Sequence, residues 1–195
     1  MNRYTELDGI ILKNTRIGEY HKGVRIFSPD SGITEATAYG GYKPKSKIGP
    51  LVSPLSCGHF VLYHTPKAKN PKIEDFSPVH TFLSIQTDLQ KYYKVLTWFE
   101  IIIRTHGGGS SSSEIFELLI ESMKFLDSCS EDQIVLINIE FLLRCLDLLG
   151  FPPNIYLQKQ NSMLEYKKLE NDVLETVQKV LEFRLNSLSR DLDEI

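Results

Sequence analysis

Lys43, Lys45 and Lys47 stand at alternate positions in YGGYKPKSKIGP (residues 39–50), beside Tyr39 and Tyr42 and among paired glycines and two prolines. Ammonium groups spaced in this way neutralise successive phosphates of a nucleic-acid backbone, and neighbouring phenol rings offer faces for unpaired bases. The same composition describes a solvated hairpin tip, so the tract alone leaves both readings open. Arg16, Lys22 and Arg25 precede it in the same basic part of the chain. Arg16 reads as lying in the turn after a first strand, with Lys22 and Arg25 flanking or inside a second. These eight residues are the candidate nucleic-acid contacts.

Other reactive side chains form no comparable constellation. The histidines at 21, 59, 64, 80 and 106 lack metal-ligand spacing, and His59 and His64, five apart on a strand, fall on opposite faces. Cys57, Cys129 and Cys145 are distant, odd in number and in no CxxC pair. They read as reduced thiols of a cytosolic protein rather than a zinc site. There is no GxxxxGK[ST], GxSxG or HExxH, and the carboxylates of the front part are too scattered to nominate an acid/base pair. HGGGSSSSE (106–114) follows no strand and precedes no lysine, so it reads as a flexible connection whose last serine caps the next helix. The expectation is a protein with no catalytic site, metal or cofactor.

The elements that must position the lysines are strands. GIILK (9–13), GVRIF (23–27), GITEATAYG (32–40), LVSPLSCGHFVLYH (51–64) and KIEDF (72–76) are short, β-branched and aromatic, with turn residues between them. Five such strands predict a small barrel over 1–80, with the OB fold first and an SH3-like barrel open on pattern alone. From 81 to 195 the apolar spacing becomes three-and-four. One helix is predicted through Ile85–Ile103, a second over 114–127, a third from Ser130 to Gly150, and a long fourth from Ser162 to Leu192. The fold class is therefore α+β, a five-stranded barrel followed by an all-helical domain.

Charge divides at the same place. Residues 1–80 carry 11 Lys+Arg against 7 Asp+Glu, whereas 81–195 carry 11 against 18, so a basic front part precedes an acidic one. Only the front part suits a polyanion. No apolar run approaches the roughly 20 residues of a membrane span, and MNRYTELDGI lacks a signal-peptide core; a cytoplasmic location is expected.

Several stretches, in order, resemble the RecO family of bacterial recombination mediators. GIILKNTRIGEYHKGVRIFSPDSG is similar to that family's G-[IV]-[IV]-L-x(3)-R-x-G-E-x-D opening, with His21 where an acidic residue is usual. AYGGYKPKSKIGPLVSP resembles A-K-G-A-R-[RK]-x-K-S-x-x-x-x-L-x-P, with Tyr39 and Tyr42 replacing basic residues. IFELLIESMKFLD and INIEFLLRCLDLLGFPPNI resemble its helical segments. The resemblance implies an N-terminal OB domain and a helical C-terminal domain. It also implies a non-catalytic activity: binding single- and double-stranded DNA, annealing complementary strands, and loading the RecA recombinase onto strands coated by single-stranded DNA-binding protein. Implied partners are RecR and the acidic C-terminal tail of that coating protein, with Lys124 or Arg144 as candidate tail contacts. Arg16, Lys43, Lys45 and Lys47 match basic positions of the family's DNA-binding face. A four-cysteine zinc site common in the family is absent after Pro153, where a metal-free helical turn is expected, and the chain is short for the family.

Two alternatives belong to other classes. One is a scaffold of the same pathway with little DNA affinity, acting through RecR or the coating protein. The other is an enzyme of nucleic-acid ends.

Overall fold

The computed structural model describes residues 3–108, 112–153, 162–182 and Leu185. The chain divides into two compact units, Met1–Thr81 with His106–Ser113, and Phe82–Thr105 with Glu114–Ile195.

The first unit is a closed barrel of β1 (Tyr4–Ile17), β2 (His21–Ser28), β3 (Gly32–Ala38), β4 (Cys57–Tyr63) and β5 (Lys72–His80), in the order β1-β2-β3-β5-β4. β1 is long enough to pair with β4 through Tyr4–Ile10 and with β2 through Ile10–Ile17. Closure comes from a parallel pairing of Thr37 with Lys72. That order with a parallel β3–β5 seam is OB topology, which decides between the two barrels open on sequence. Ile11, Val24, Ile26, Ala36, Phe60, Leu62, Ile73 and Phe76 fill the interior, with the Phe60 and Phe76 rings stacked at 4.3 Å.

The predicted strand over 51–64 is only half strand. Pro54 has no N–H to give a ladder, and Leu55 sits at φ 74, so the strand proper waits until Cys57. Residues 51–56 instead plug the barrel. Val52 and Leu55 are fully buried, and Ile11 exchanges backbone hydrogen bonds with Ser56 (2.9 Å) and Leu55 (3.0 Å). The glycine-rich segment 106–113, expected to be a free connection, also returns to the barrel. Gly107 accepts from Ile33 N–H at 3.3 Å, Ser112 N–H donates to Pro29 at 2.8 Å, and Gly108 forms a bridge with Gly32.

The second unit comprises α1 (Leu83–Thr87), α2 (Leu89–Thr105), α3 (Ser113–Ser128), α4 (Ile134–Leu148) and α5 (Met163–Val180). The single helix predicted through Ile85–Ile103 is broken at Asp88, which is extended; its Oδ1 accepts from Gln90 N–H at 2.8 Å and Lys91 N–H at 3.2 Å, starting α2 afresh. A 3₁₀ turn over Glu131–Gln133, capped by Ser130, precedes α4. Trp98 stacks on Phe141 at 4.2 Å and donates Nε1–H to Asn138 Oδ1 at 2.7 Å. Asn138 Nδ2 donates in turn to Glu170 of α5 at 2.6 Å, and Lys94 pairs with the same carboxylate at 2.9 Å. The described part of the fourth predicted helix ends at Val180, not Leu192; residues 186–195 and the 154–161 segment, where a metal-free turn was expected, lie outside the described residues. Among the described residues no helix is long and apolar enough to cross a membrane, and no three His, Cys, Asp or Glu are placed to hold a metal.

Candidate nucleic-acid interface

The lysine tract is a built loop rather than a loose tip. Gly40 turns at φ 68, and its N–H donates to His21 Nδ1 at 2.9 Å. His21 thus supplies the turn with a side-chain acceptor. Successive turns follow, from Lys43 N–H to Gly40 O (2.9 Å) and from Ser46 N–H to Lys43 O (2.9 Å). Gly49 lies against Gly41, whose carbonyl oxygen would be 2.0 Å from any Cβ there, so a side chain at 49 would force the loop apart. Ile48 and Val52 pack into the barrel core below.

The eight predicted contacts separate into different roles. Lys43, Lys45 and Lys47 are exposed, and no carboxylate pairs with them among the described residues. Lys22, expected as a DNA contact flanking or inside the second strand, is the opposite case. It is buried, with Nζ donating to Gly49 O at 2.7 Å and Val52 O at 3.4 Å, and burial pushes its ammonium below the usual lysine range. Asn14 Nδ2 reaches the same Val52 carbonyl at 3.0 Å. Lys22 thus pins the loop from beneath; a backbone carbonyl, not a phosphate, takes its charge.

Arg16 is not in a turn but near the end of β1, opposite Lys22 in register. Its Nη2 donates to Glu19 O at 3.0 Å, and its guanidinium lies over the Tyr42 ring, 5.4 Å from the centroid. Lys22 Nζ is 5.0 Å from the same centroid, so the Tyr42 ring already has two cations. Arg25 pairs with its cross-strand partner Glu35 at 3.1 Å and is largely neutralised. Tyr39 lies just past β3, 49% exposed, with its ring meeting that of His21 at 4.9 Å in a T-shaped contact.

Beside Tyr39 the barrel surface is hollowed twice. An open recess of about 510 Å³ is lined by Tyr39, Lys43, Lys45, Lys47, Lys72 and Glu74 among others. A second, of about 780 Å³, is lined by Tyr4, Tyr39, Tyr63, Lys67, Lys72 and Glu74 with Thr65 and Ala68. Tyr39, Lys72 and Glu74 line both, so the two recesses adjoin between the lysine loop and the β4–β5 loop. Register explains the far wall: Tyr4 faces Tyr63, and Tyr63 faces Lys72, across β1, β4 and β5.

Tyr4, Tyr63, Lys67 and Lys72 were not singled out from the sequence. Two signals pointed to them: HTPKAKNPK repeats the alternate-lysine, proline-broken composition of the first tract, and strand alternation in CGHFVLY turns His59, Val61 and Tyr63 outward. Their meeting with Tyr39 depends on barrel closure, which alternation alone does not show. β4 ends at Tyr63, so His64 is not on the strand with His59 as expected and is exposed; His59 lies 3.1 Å from Asp8 and 3.6 Å from Glu6, and His64 Nε2 is 3.0 Å from Thr5 Oγ1.

In the helical unit, a recess of about 370 Å³ on α3 and α4 brings Phe125, Leu136 and Ile137 together with Arg144, Glu121 and Glu140. Arg144 is 4.0 Å from Glu140. Lys124 is exposed and does not line it.

An OB barrel with lysine- and tyrosine-lined recesses, followed on the same chain by a helical unit, defines an OB-fold protein with an all-α partner unit. Comparison with known families is more specific. The model of the Recombination protein O N-terminal domain matches residues 1–82, and that of the Recombination protein O C-terminal domain matches residues 86–156. The chain belongs to the RecO family.

Curated relatives agree. The DNA repair protein RecO of Thermoanaerobacter sp. (strain X514) is 24% identical over 153 residues, 78% of this chain and 60% of the relative. That of Chlorobium limicola is 26% identical over 146 residues (75% and 56%), and that of Desulfatibacillum aliphaticivorans 29% over 147 residues (75% and 57%). The chain therefore spans under two thirds of the length of these relatives.

Proposed function

We propose that this chain is a non-catalytic DNA-binding mediator of recombinational repair. The observation that carries the reading is a pair of adjoining recesses on one barrel surface, lined by Lys43, Lys45 and Lys47, which have no carboxylate partner among the described residues, and by Tyr4, Tyr39 and Tyr63. Lys43, Lys45 and Lys47 neutralise phosphates of a single strand or a duplex, and the pinned loop fixes their backbone in advance, so only their side chains remain to be ordered. Held at high local concentration, two complementary strands anneal, and a strand coated by single-stranded DNA-binding protein is presented to RecA. RecR is the expected co-mediator, and the cytoplasm the expected compartment. The acidic tail of the coating protein suits the α3–α4 recess, where Arg144 stands beside Phe125, Leu136 and Ile137.

A specific observation favours the second reading, a scaffold with little DNA affinity. Lys22 is internal, Arg25 and Lys72 are paired with Glu35 and Glu74, and Tyr39 and Tyr42 occupy positions that are basic in the family pattern. Filter binding of labelled single strands at 20 mM salt (chosen because screening is weak there) separates the two. Tight binding that weakens steeply with added salt supports the mediator. Absence of binding, with strand annealing still dependent on the coating protein, supports the scaffold.

A further inference from the structure

Three successive residues hold the lysine loop against the β1–β2 hairpin. Tyr20 O accepts from Tyr42 N–H at 3.0 Å, His21 Nδ1 accepts from Gly40 N–H at 2.9 Å, and Lys22 Nζ donates to Gly49 O at 2.7 Å. His21 and Lys22 thus grip the two ends of the loop. Gly40, two residues past β3, turns at φ 68 and sets the direction of the chain that carries Lys43, Lys45 and Lys47. Acidification leaves two of the three holds in place, because a peptide carbonyl does not titrate and Lys22 acts as a protonated donor.

The hold by His21 is different. Nδ1 accepts a hydrogen bond only while it carries no proton, which requires the neutral ring with its hydrogen on Nε2. Imidazolium donates from both nitrogens, so a proton on Nδ1 would set N–H against the Gly40 N–H and end the bond. Histidine is the side chain that ordinarily gains its proton between about pH 5 and 8. Lys43, Lys45 and Lys47 of the loop line the same recess as His21, with Lys72 and Glu74 of β5 paired to each other at 2.7 Å. On its own hairpin, Arg16 lies over Tyr42, the Glu19 side chain bonds to that of Tyr20, and Lys22 is turned inward. The Tyr39 ring meets the imidazole at 4.9 Å. A ring proton would therefore break a bond that shapes the loop and add a cation to a recess already lined by four lysines.

We propose that His21 is a proton-operated latch on the lysine loop: neutral, it fixes Gly40 and the turn that follows; protonated, it releases them. The effect on affinity rests on the DNA-binding reading above, whereas the effect on the loop does not. If His21 merely added a charge, acid would tighten DNA binding. A latch weakens it, because the released loop must be ordered again on binding.

The test uses the isotope-labelled full chain and a fluorescent oligodeoxythymidylate at constant ionic strength. In wild type, exchange protection of the Gly40 amide, corrected for the intrinsic effect of pH, is expected to fall about ten-fold between about pH 8 and about pH 5.5, and strand binding to weaken about five-fold. His21→Asn offers an amide oxygen that mild acid does not protonate, and both responses are expected to vanish. His21→Ala has no acceptor and is expected to show already at high pH the low protection that wild type reaches in acid. Protection of the core amide of Ile26 reports whether each variant is folded. His59, His64, His80 and His106 remain in both variants, so a pH response that persists in His21→Asn overturns the latch. Unchanged Gly40 protection in wild type overturns it as well. So does tighter binding in acid with Gly40 still protected, which would make His21 a phosphate contact. Falling protection in wild type with no strand bound at any pH would uphold the latch and sink the DNA-binding reading instead.

Discussion

Among the described residues each unit buries one lysine, and the two are put to different use. In the barrel, Lys22 holds the carbonyls of Gly49 and Val52 beneath an exposed, lysine-rich loop. In the helical unit, Lys91 of α2 donates to Ser84 Oγ (2.9 Å), Cys129 O (3.0 Å) and Asp127 O (3.3 Å), tying α1 to the C-terminal end of α3. Both cations are consumed by backbone carbonyls at places where regular hydrogen bonding stops. Lys22 lies under the candidate DNA site and Lys91 does not, so loss of Lys22 is the one expected to reach DNA binding. A lysine in a sequence is a surface charge only when no interior acceptor claims it.

The comparison breaks first at Lys91. Lys91→Ala leaves its carbonyl acceptors buried without a donor, and urea denaturation should show a loss of about 3 kcal/mol, with DNA affinity of the folded protein unchanged. Next in size is Lys43→Ala/Lys45→Ala/Lys47→Ala. Three lost phosphate contacts should flatten the single-strand slope of log K on log salt by about 2 and weaken binding by roughly a hundred-fold at 0.1 M salt, with little change in stability. Lys22→Met should fall between these behaviours. It loses about 2 kcal/mol of stability and several-fold in affinity, yet keeps the wild-type salt slope because it touches no phosphate.

A finer measurement follows from the protonation of Lys22. Its folded-state pKa is lowered by burial from 10.5, so between the two values the unfolded chain holds more protons than the native state. Wild-type stability should therefore rise relative to Lys22→Met as pH approaches 10.5, with the contribution lost again as pH falls through the folded value. Equal pH profiles for the two proteins would argue against a buried ammonium. The smallest effect is expected from Glu74→Gln, which releases Lys72; binding should tighten about two-fold or more and the slope steepen by about 0.7.

Much of the architecture was legible. β2 and β3 follow from β-branched alternation, and α3 from its apolar stripe, because in these segments local periodicity and tertiary environment agree. Disagreement arose where an element depends on what lies across the fold. Residues 51–56 have strand composition, but Pro54 and the left-handed Leu55 make them a plug. Asp88 interrupts a continuous apolar stripe because its carboxylate caps α2 better than it would serve inside a helix. For the site, Lys43, Lys45 and Lys47 were identifiable by spacing, whereas Lys22, Arg16 and Arg25 looked equivalent to them until their partners were known.

By itself, then, the sequence determined which part of the chain is a basic, β-rich domain, which part is acidic and helical, and to which family their order belongs. Composition and periodicity are local or additive properties, so they survive without coordinates. Tertiary structure alone decided which charges find partners and which rings line the recesses. Barrel closure sets Tyr4, Tyr63 and Lys72 in adjacent registers and brings Tyr39 to the same recess, while the same closure turns Lys22 inward and places Tyr42 between two cations. Those assignments depend on pairings between residues up to about sixty positions apart, set by the packing of one core rather than by any neighbouring residue.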